Sequence, residues 1–222
     1  MSSPVSASSR SSRARLRRFH ERGHYDRQTL LEVLDAGIVC HIAFVHRGQP
    51  VTLPTLYWHD EEAIYVHGSA ASRMLESCMD ADVCVSVAHL DGLVLTKSAF
   101  HHSANYRSAT IFGKARLVSA MDDVAAQLRA MMERLFPGRW ERLRPVKLKE
   151  LKATKVLAIP LSEASAKIRI GPPSEDPEDL DWPAWSGVLP IRTVFGAAIP
   201  DSASWVGASA PACAIEPSGG SG

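Results

Sequence analysis

IVCHIAFVHRGQPVTLPTLYWHDEEAIYVH, residues 38–67, reads as three strands and two tight turns. Ile38–His46 is apolar and β-branched, Arg47-Gly48 is a two-residue turn signal, and Gln49–Trp58 follows. An acidic turn at Asp60–Glu62 then leads into Ala63–His67. Short β-prone runs joined by tight turns are the signature of antiparallel hairpins. Outward from this core the pattern continues. Upstream, Asp26 caps a short helix with the apolar stripe Leu30, Leu31, Val33 and Leu34, ended by Gly37. Downstream, small residues at Gly68–Ser72 precede a helical stretch at Met74–Met79. Strand-like runs return at Val83–His89, Leu93–Leu95, Ala109–Phe112, Thr154–Pro160 and Ala166–Ile170, with a last one inside Trp185–Phe195. A helix with Val124, Leu128, Met131 and Leu135 on one face starts at Ser119 or Asp122 and breaks at Pro137-Gly138. Short, mostly sequential strands with few helices predict a mainly β protein, a closed or split barrel. The alternation is too irregular for a doubly wound sheet, and no GxGxxG follows a strand.

The chain has 222 residues, a net charge of +1 and 22% charged residues. This fits one globular domain and gives no global field favouring nucleic acid or membrane. Residues 1–18 are Ser/Arg-rich without an acid, and 200–222 are rich in Ala, Ser, Gly and Pro. Both are expected to be loose, leaving 19–199 as the domain. The N-terminus faintly resembles a transit peptide and lacks the apolar stretch of a secretory signal. Cys40, Cys78, Cys84 and Cys213 form no CxxC pair and read as free thiols in a reducing, cytoplasmic setting.

Two polar blocks carry the chemistry. At His67–Arg73 a strand runs into a helix start, where free N–H groups and the dipole make an anion site. Ser69 and Ser72 add hydroxyls, Arg73 a fork suited to phosphate, and Gly68 room for close approach. His67 is the candidate proton relay, with a strand-end histidine that bonds a ligand or the backbone as the plainer reading. The second block, DGLVLTKSAFHHSANYRSATIFGKAR (91–116), carries Lys97, His101, His102, Tyr106, Arg107 and Ser108 between core-like strands, too polar for a plain hairpin. Adjacent His101 and His102 would face opposite sides of a strand and no third ligand accompanies them, so no metal site is expected. Lys167 and Arg169 share one face of their strand. No GxSxG elbow supports a hydrolase.

These residues carry a family resemblance. RGHYDR (22–27), LDAGIVCHIAF (34–44), GQPVTLPTLYW (48–58), IYVHGSAASR (64–73), residues 91–118, PGRW (137–140), ELKATKVLAIPL (150–161), SAKIRIGPP (165–173) and WPAWSGVLP (182–190) resemble the pyridoxamine 5′-phosphate oxidase-like FMN-binding split barrels. The likeness is to the flavin-nucleotide-binding branch that includes the nitroimidazole-resistance reductases. It implies a six-stranded antiparallel split β-barrel with short flanking helices, forming a homodimer with FMN at the interface. In that picture Leu53, Pro54 and Thr55 lie along the flavin ring, and Gly68, Ser69, Ser72 and Arg73 hold the phosphate. Tyr106, Arg107 and Ser108 come close to the cofactor, in part from the partner chain. The sequence leaves open whether Lys97, Arg107 or Lys167 is the cation at the ring. The implied activity is reduction of a small electrophile with NAD(P)H. The alternatives are a flavin carrier or sensor, and a haem- or F420-binding barrel; the vitamin B6 substrate signature is not evident.

Overall fold

The computed structural model describes residues 12–202 and 209–215. The expected loose segments 1–11, 203–208 and 216–222 lie outside the described residues. The elements in chain order are β1 (Gly23–His24), α1 (Arg27–Asp35), β2 (Val39–His46), β3 (Gln49–His59), β4 (Ala63–Ser69), α2 (Arg73–Cys78), β5 (Asp82–Leu95), β6 (Ser103–Lys114), β7 (Arg116–Leu117), α3 (Met121–Leu135), α4 (Leu148–Lys152), β8 (Thr154–Pro160), β9 (Glu163–Arg169) and β10 (Gly187–Pro190). Every strand pairing is antiparallel, in the order β1-β9-β6-β5-β2-β3-β4-β8-β7, with β10 added to β5.

The sheet curls into a split barrel. At Gly113 on β6 a Cβ would lie only 3.1 Å from Ile159 and 3.2 Å from Pro160 on β8. Glycine therefore lets two strands that share no ladder touch. The chain then crosses directly to β7, which pairs with β8 at Arg116↔Ala158 and Leu117↔Leu157. Alternation places Cys40, Ile42 and Phe44 of β2 and Val83, Val85 and Val87 of β5 inside. They meet Val66, Ile111, Leu157 and Ile159, with Leu30, Val33 and Leu34 of α1 and Leu75 and Cys78 of α2 closing the core. A second, smaller core lies on the other face of β3, β4 and β8, where α3 covers Trp58, Tyr65 and Val156 with Val124.

Local chemistry sets the helix ends. Asp26 caps α1 by accepting the Thr29 N–H at 2.8 Å. At the other end the Leu34 carbonyl accepts from both the Tyr57 hydroxyl (2.5 Å) and Arg134 of α3 (2.7 Å). Arg134 also donates to Gly37 O at 3.1 Å, so one guanidinium ties α3 to the C-terminus of α1.

The sequence expectation and the structure differ in defined places. Val83–His89 and Leu93–Leu95 form one strand, β5, kept continuous by a bulge between Leu90 and Gly92. The polar block up to Ser108 is itself strand, the first half of β6. The strand count rises to ten because β1 and β7 have two residues each, too short to show a period. Helix α2 begins at Arg73, with Ser72 as its cap, and α3 begins at Met121 after the uncapped Ala120. Residues 12–18, grouped by composition with the N-terminal stretch, contact the sheet: Ala14 is buried, and Arg13 bonds Asp82 and Glu163.

Candidate functional site

The split in the barrel arises where β3 and β4 part. They pair only at Tyr57↔Val66, Trp58↔Tyr65 and His59↔Ile64, whereas β3 pairs with β2 from Gln49 to Leu56. From Val51 to Leu56 the second edge of β3 therefore has no strand partner among the described residues, leaving main-chain N–H and C=O groups available to a ligand. Leu53 and Thr55 share the inward face with Ile42 and Cys40, yet Leu53 is 37% exposed because β4 has turned away. Pro54 and Leu56 on the opposite face are exposed. The result is an open slot beside β3, where the main-chain edge is flanked by Leu53 on one face and by Pro54 and Leu56 on the other.

The continuation of β4 into α2 forms a polar corner. The chain turns at Ser69, with the Ser72 N–H donating to Ser69 O at 2.8 Å. Ser69 Oγ accepts the Ala71 N–H at 3.3 Å and Ser72 Oγ accepts the Leu75 N–H at 3.5 Å. Each hydroxyl uses a lone pair on the backbone and keeps its O–H to donate outward. Arg73 is exposed and its guanidinium meets no acceptor among the described residues. Gly68 sits tightly over α2, where a Cβ would be 3.2 Å from Leu75. A free fork, two donor hydroxyls and a helix start suit a phosphate monoester, and the slot suits a flat, partly apolar ring.

His67 occupies a different environment. Its ring packs edge-on against Trp58 at 5.6 Å between centroids, on the sheet face covered by α3. Its Nδ1 is buried without a partner, and burial pushes its pKa down, so the ring is neutral. It lies behind the corner, on the opposite face from Val66.

The second block stands apart from the first. β6 is separated from β3 by β5 and β2, about 14 Å at the usual strand spacing. Tyr106 lies on the outer face opposite Leu90 and Arg169, and Arg107 on the inner face opposite His89. Arg107 makes a two-pronged ion pair with Asp91, and Ser108 donates to Lys167 O at 3.2 Å. Lys97 donates its N–H to Glu175 and its ammonium to Leu180 O. Lys167 reaches Arg18 O at 3.5 Å and the Phe19 ring at 5.7 Å. Each of the three cations expected near the ring thus has an acceptor in its own chain. His101 ends a one-turn 3-10 helix and pairs with Asp176 at 2.9 Å, while His102 precedes β6, so the strand geometry assumed for the pair does not apply. Among the described residues no cluster of three His, Cys, Asp or Glu is placed to hold a metal. All four cysteines are free, with the Cys40 thiol pushed up to about 12 by burial. No described helix is long and apolar enough to cross a membrane.

Sequence reasoning missed Asp91, Glu175 and Asp176, the acids that engage Arg107, Lys97 and His101. The Asp91-Gly92 pair could have signalled a bulge; the acids of the Pro-rich loop gave no sign of where they dock.

The outer face of β2, β3, β5 and β6 is a broad surface of small side chains, with Ser86 opposite Thr110 and Ala88 opposite Ser108. Apolar Val39, Leu56 and Leu90 flank it, each more than 40% exposed.

Known proteins share this architecture. The flavocytochrome Anf3 from Azotobacter vinelandii is 39% identical, with a TM-score of 0.87 over 90% of this chain and 94% of its own. The FAD and haem binding protein from Mycobacterium smegmatis is 34% identical, with a TM-score of 0.81 over 86% of this chain and 94% of its own. A 5-nitroimidazole antibiotic resistance protein from Bacteroides thetaiotaomicron shares the fold at 16% identity, with a TM-score of 0.56 over 66% of this chain and 86% of its own. No curated protein matches. Residues 26–168 match the pyridoxamine 5′-phosphate oxidase family, and with the split barrel and two full-length relatives above 30% identity, the chain belongs to that family.

Proposed function

We propose that this chain is a flavin-dependent oxidoreductase. It holds a flavin nucleotide in the split, takes electrons from NAD(P)H and passes them to a small electrophile. One juxtaposition carries the reading: the edge of β3 that pairs with no described strand lies beside a corner that offers Ser69 and Ser72 hydroxyls and an Arg73 without a partner among the described residues. Bound flavin supplies the hydride chemistry, so the protein has to bind, orient and shield. Leu53, Pro54 and Thr55 line the ring, and Gly68, Ser69, Ser72 and Arg73 take the phosphate. FMN is the minimal ligand of this geometry.

The site is completed by a second copy. In one chain Tyr106 and Ser108, on the small-residue outer face of β6, are three strands away from the slot, while Arg107 faces inward to its own Asp91. A homodimer packed on that face brings the partner's β6 to the slot. The four free thiols support a reducing, cytoplasmic setting.

A second reading adds haem as electron acceptor. The two relatives above 30% identity are a flavocytochrome and an FAD and haem binding protein. In this chain His41 is exposed on the outer face opposite Pro54, next to the exposed Val39 and Leu56, and has no partner among the described residues. An imidazole without a described partner, set on an apolar surface, has the ligand chemistry haem needs. Anaerobic mixing of the flavin-loaded protein with NADPH or NADH tests the activity. Bleaching of the flavin bands within a turnover time is expected, and a flavin that stays oxidised with both donors makes the protein a carrier. A Soret band that disappears in His41→Ala supports the second reading.

A further inference from the structure

A cleft of about 490 Å³ opens on the flank of the domain, between α3, the segment 140–146 and α4. Trp140, Leu143, Val146 and Leu151 give it an apolar, aromatic lining. Two ion pairs hold its walls: Arg129 to Glu141 from α3, and Arg144 to Glu150 from α4. The volume is that of a small-molecule site, and the lining mixes these apolar groups with Glu141 and Arg144.

Its surroundings are strongly basic. Residues 139–155 contain seven Lys and Arg against two Glu, a local surplus of five charges in a chain of net +1. Arg142, Lys149 and Lys152 are exposed, and with Arg139 they have no ion-pair partner among the described residues. With Glu141 and Glu150 taken up by Arg129 and Arg144, the remaining cations beside an aromatic side chain fit a planar ligand carrying phosphates. The cleft also adjoins the corner. Leu151 lines it, and two residues on, Ala153 O accepts the Ala70 N–H at 2.8 Å while Thr154 pairs with Ser69. The C-terminal end of α4 thus belongs to the cleft and leads directly to the corner.

We propose that this cleft binds the adenosine phosphate half of an adenine dinucleotide, with adenine against Trp140 and phosphates over the basic strip. The placement beside the corner rests on reading that corner as the flavin phosphate site; adenosine phosphate binding itself does not. The same moiety comes from FAD seated in the split or from the nicotinamide donor.

The test titrates apoprotein with AMP, FMN and FAD by calorimetry, in wild type, Trp140→Ala and Trp140→Phe. AMP is expected to bind saturably, to weaken roughly ten- to hundredfold in Trp140→Ala, the scale of base stacking on an aromatic side chain, and to recover in Trp140→Phe. If FAD is the source, Trp140→Ala weakens FAD alike, leaves FMN unchanged, and AMP competes only with FAD. If the donor is the source, both flavins bind unchanged and AMP competes with NADPH in reducing the flavin-loaded protein. No AMP binding in wild type, or an equal loss of FMN and FAD in Trp140→Ala, overturns the proposal. AMP binding without flavin binding would sink the flavin reading and leave the cleft standing.

Discussion

Arg107 and Asp91 form a two-pronged ion pair, Nε to Oδ2 at 3.0 Å and Nη2 to Oδ1 at 2.9 Å, with both side chains 23% exposed. Asp91 is the extra residue of the β5 bulge, so the pair locks the irregular point of the longest strand to its neighbour. Arg107→Ala leaves a half-buried carboxylate unpaired and is expected to cost about 2 kcal/mol of stability. Arg107→Lys recovers only part, because an ammonium cannot make both bonds. Urea unfolding midpoints measure this, and an unchanged midpoint in Arg107→Ala would show the pair to be incidental.

Arg73 behaves oppositely. It is exposed and has no partner among the described residues, so Arg73→Ala is expected to shift stability by less than about 0.5 kcal/mol. The same change should weaken flavin binding roughly ten- to hundredfold, the worth of one charged hydrogen bond to phosphate. Equal affinity in the variant would move the phosphate elsewhere.

Much of this was legible in the sequence, and the exceptions have physical causes. The β3 hairpin and the Ser69–Arg73 corner are local features: alternation, tight turns and a capped helix start lie within a few residues. The partners of the cations are not local. Glu175 is 78 residues from Lys97 and Asp91 is 16 from Arg107, and no spacing rule announces a bulge or the docking of a Pro-rich loop. Lys97, Arg107 and Lys167 therefore read as free cations until the fold supplied their acceptors. His67 read as a pocket residue because the face of β4 that α3 covers is set by a helix more than fifty residues later.

Gly37 sets the approach of α1 to the barrel. A Cβ there would lie 2.6 Å from the Tyr57 hydroxyl and 2.8 Å from His89 Cε1. Gly37→Ala must displace the hydroxyl that donates to Leu34 O, and is expected to cost about 1–3 kcal/mol. Thermal unfolding reads it, and a variant as stable as wild type would show that this junction is loose.

His59, His67 and His89 are each held below the ordinary histidine pKa, first of all by burial. The unfolded chain then binds more protons, so their contribution is complete above about pH 6.5 and is lost as pH falls toward their folded values. Asp26 and Asp60 are shifted down too, but their contribution fades only below about pH 4. The urea midpoint is expected to fall between pH 7 and pH 5, and His89→Gln should flatten part of that slope. A midpoint that rises over this window would contradict the burial of these rings.

The flavin site is tested most directly by the absorption spectrum of the purified protein, followed by titration of the colourless form with FMN and FAD. A yellow protein with two flavin bands is expected, or an apoprotein that takes up flavin to saturation and binds it roughly ten- to hundredfold more weakly in Arg73→Ala. A protein that shows no flavin bands and refuses both added flavins would contradict it.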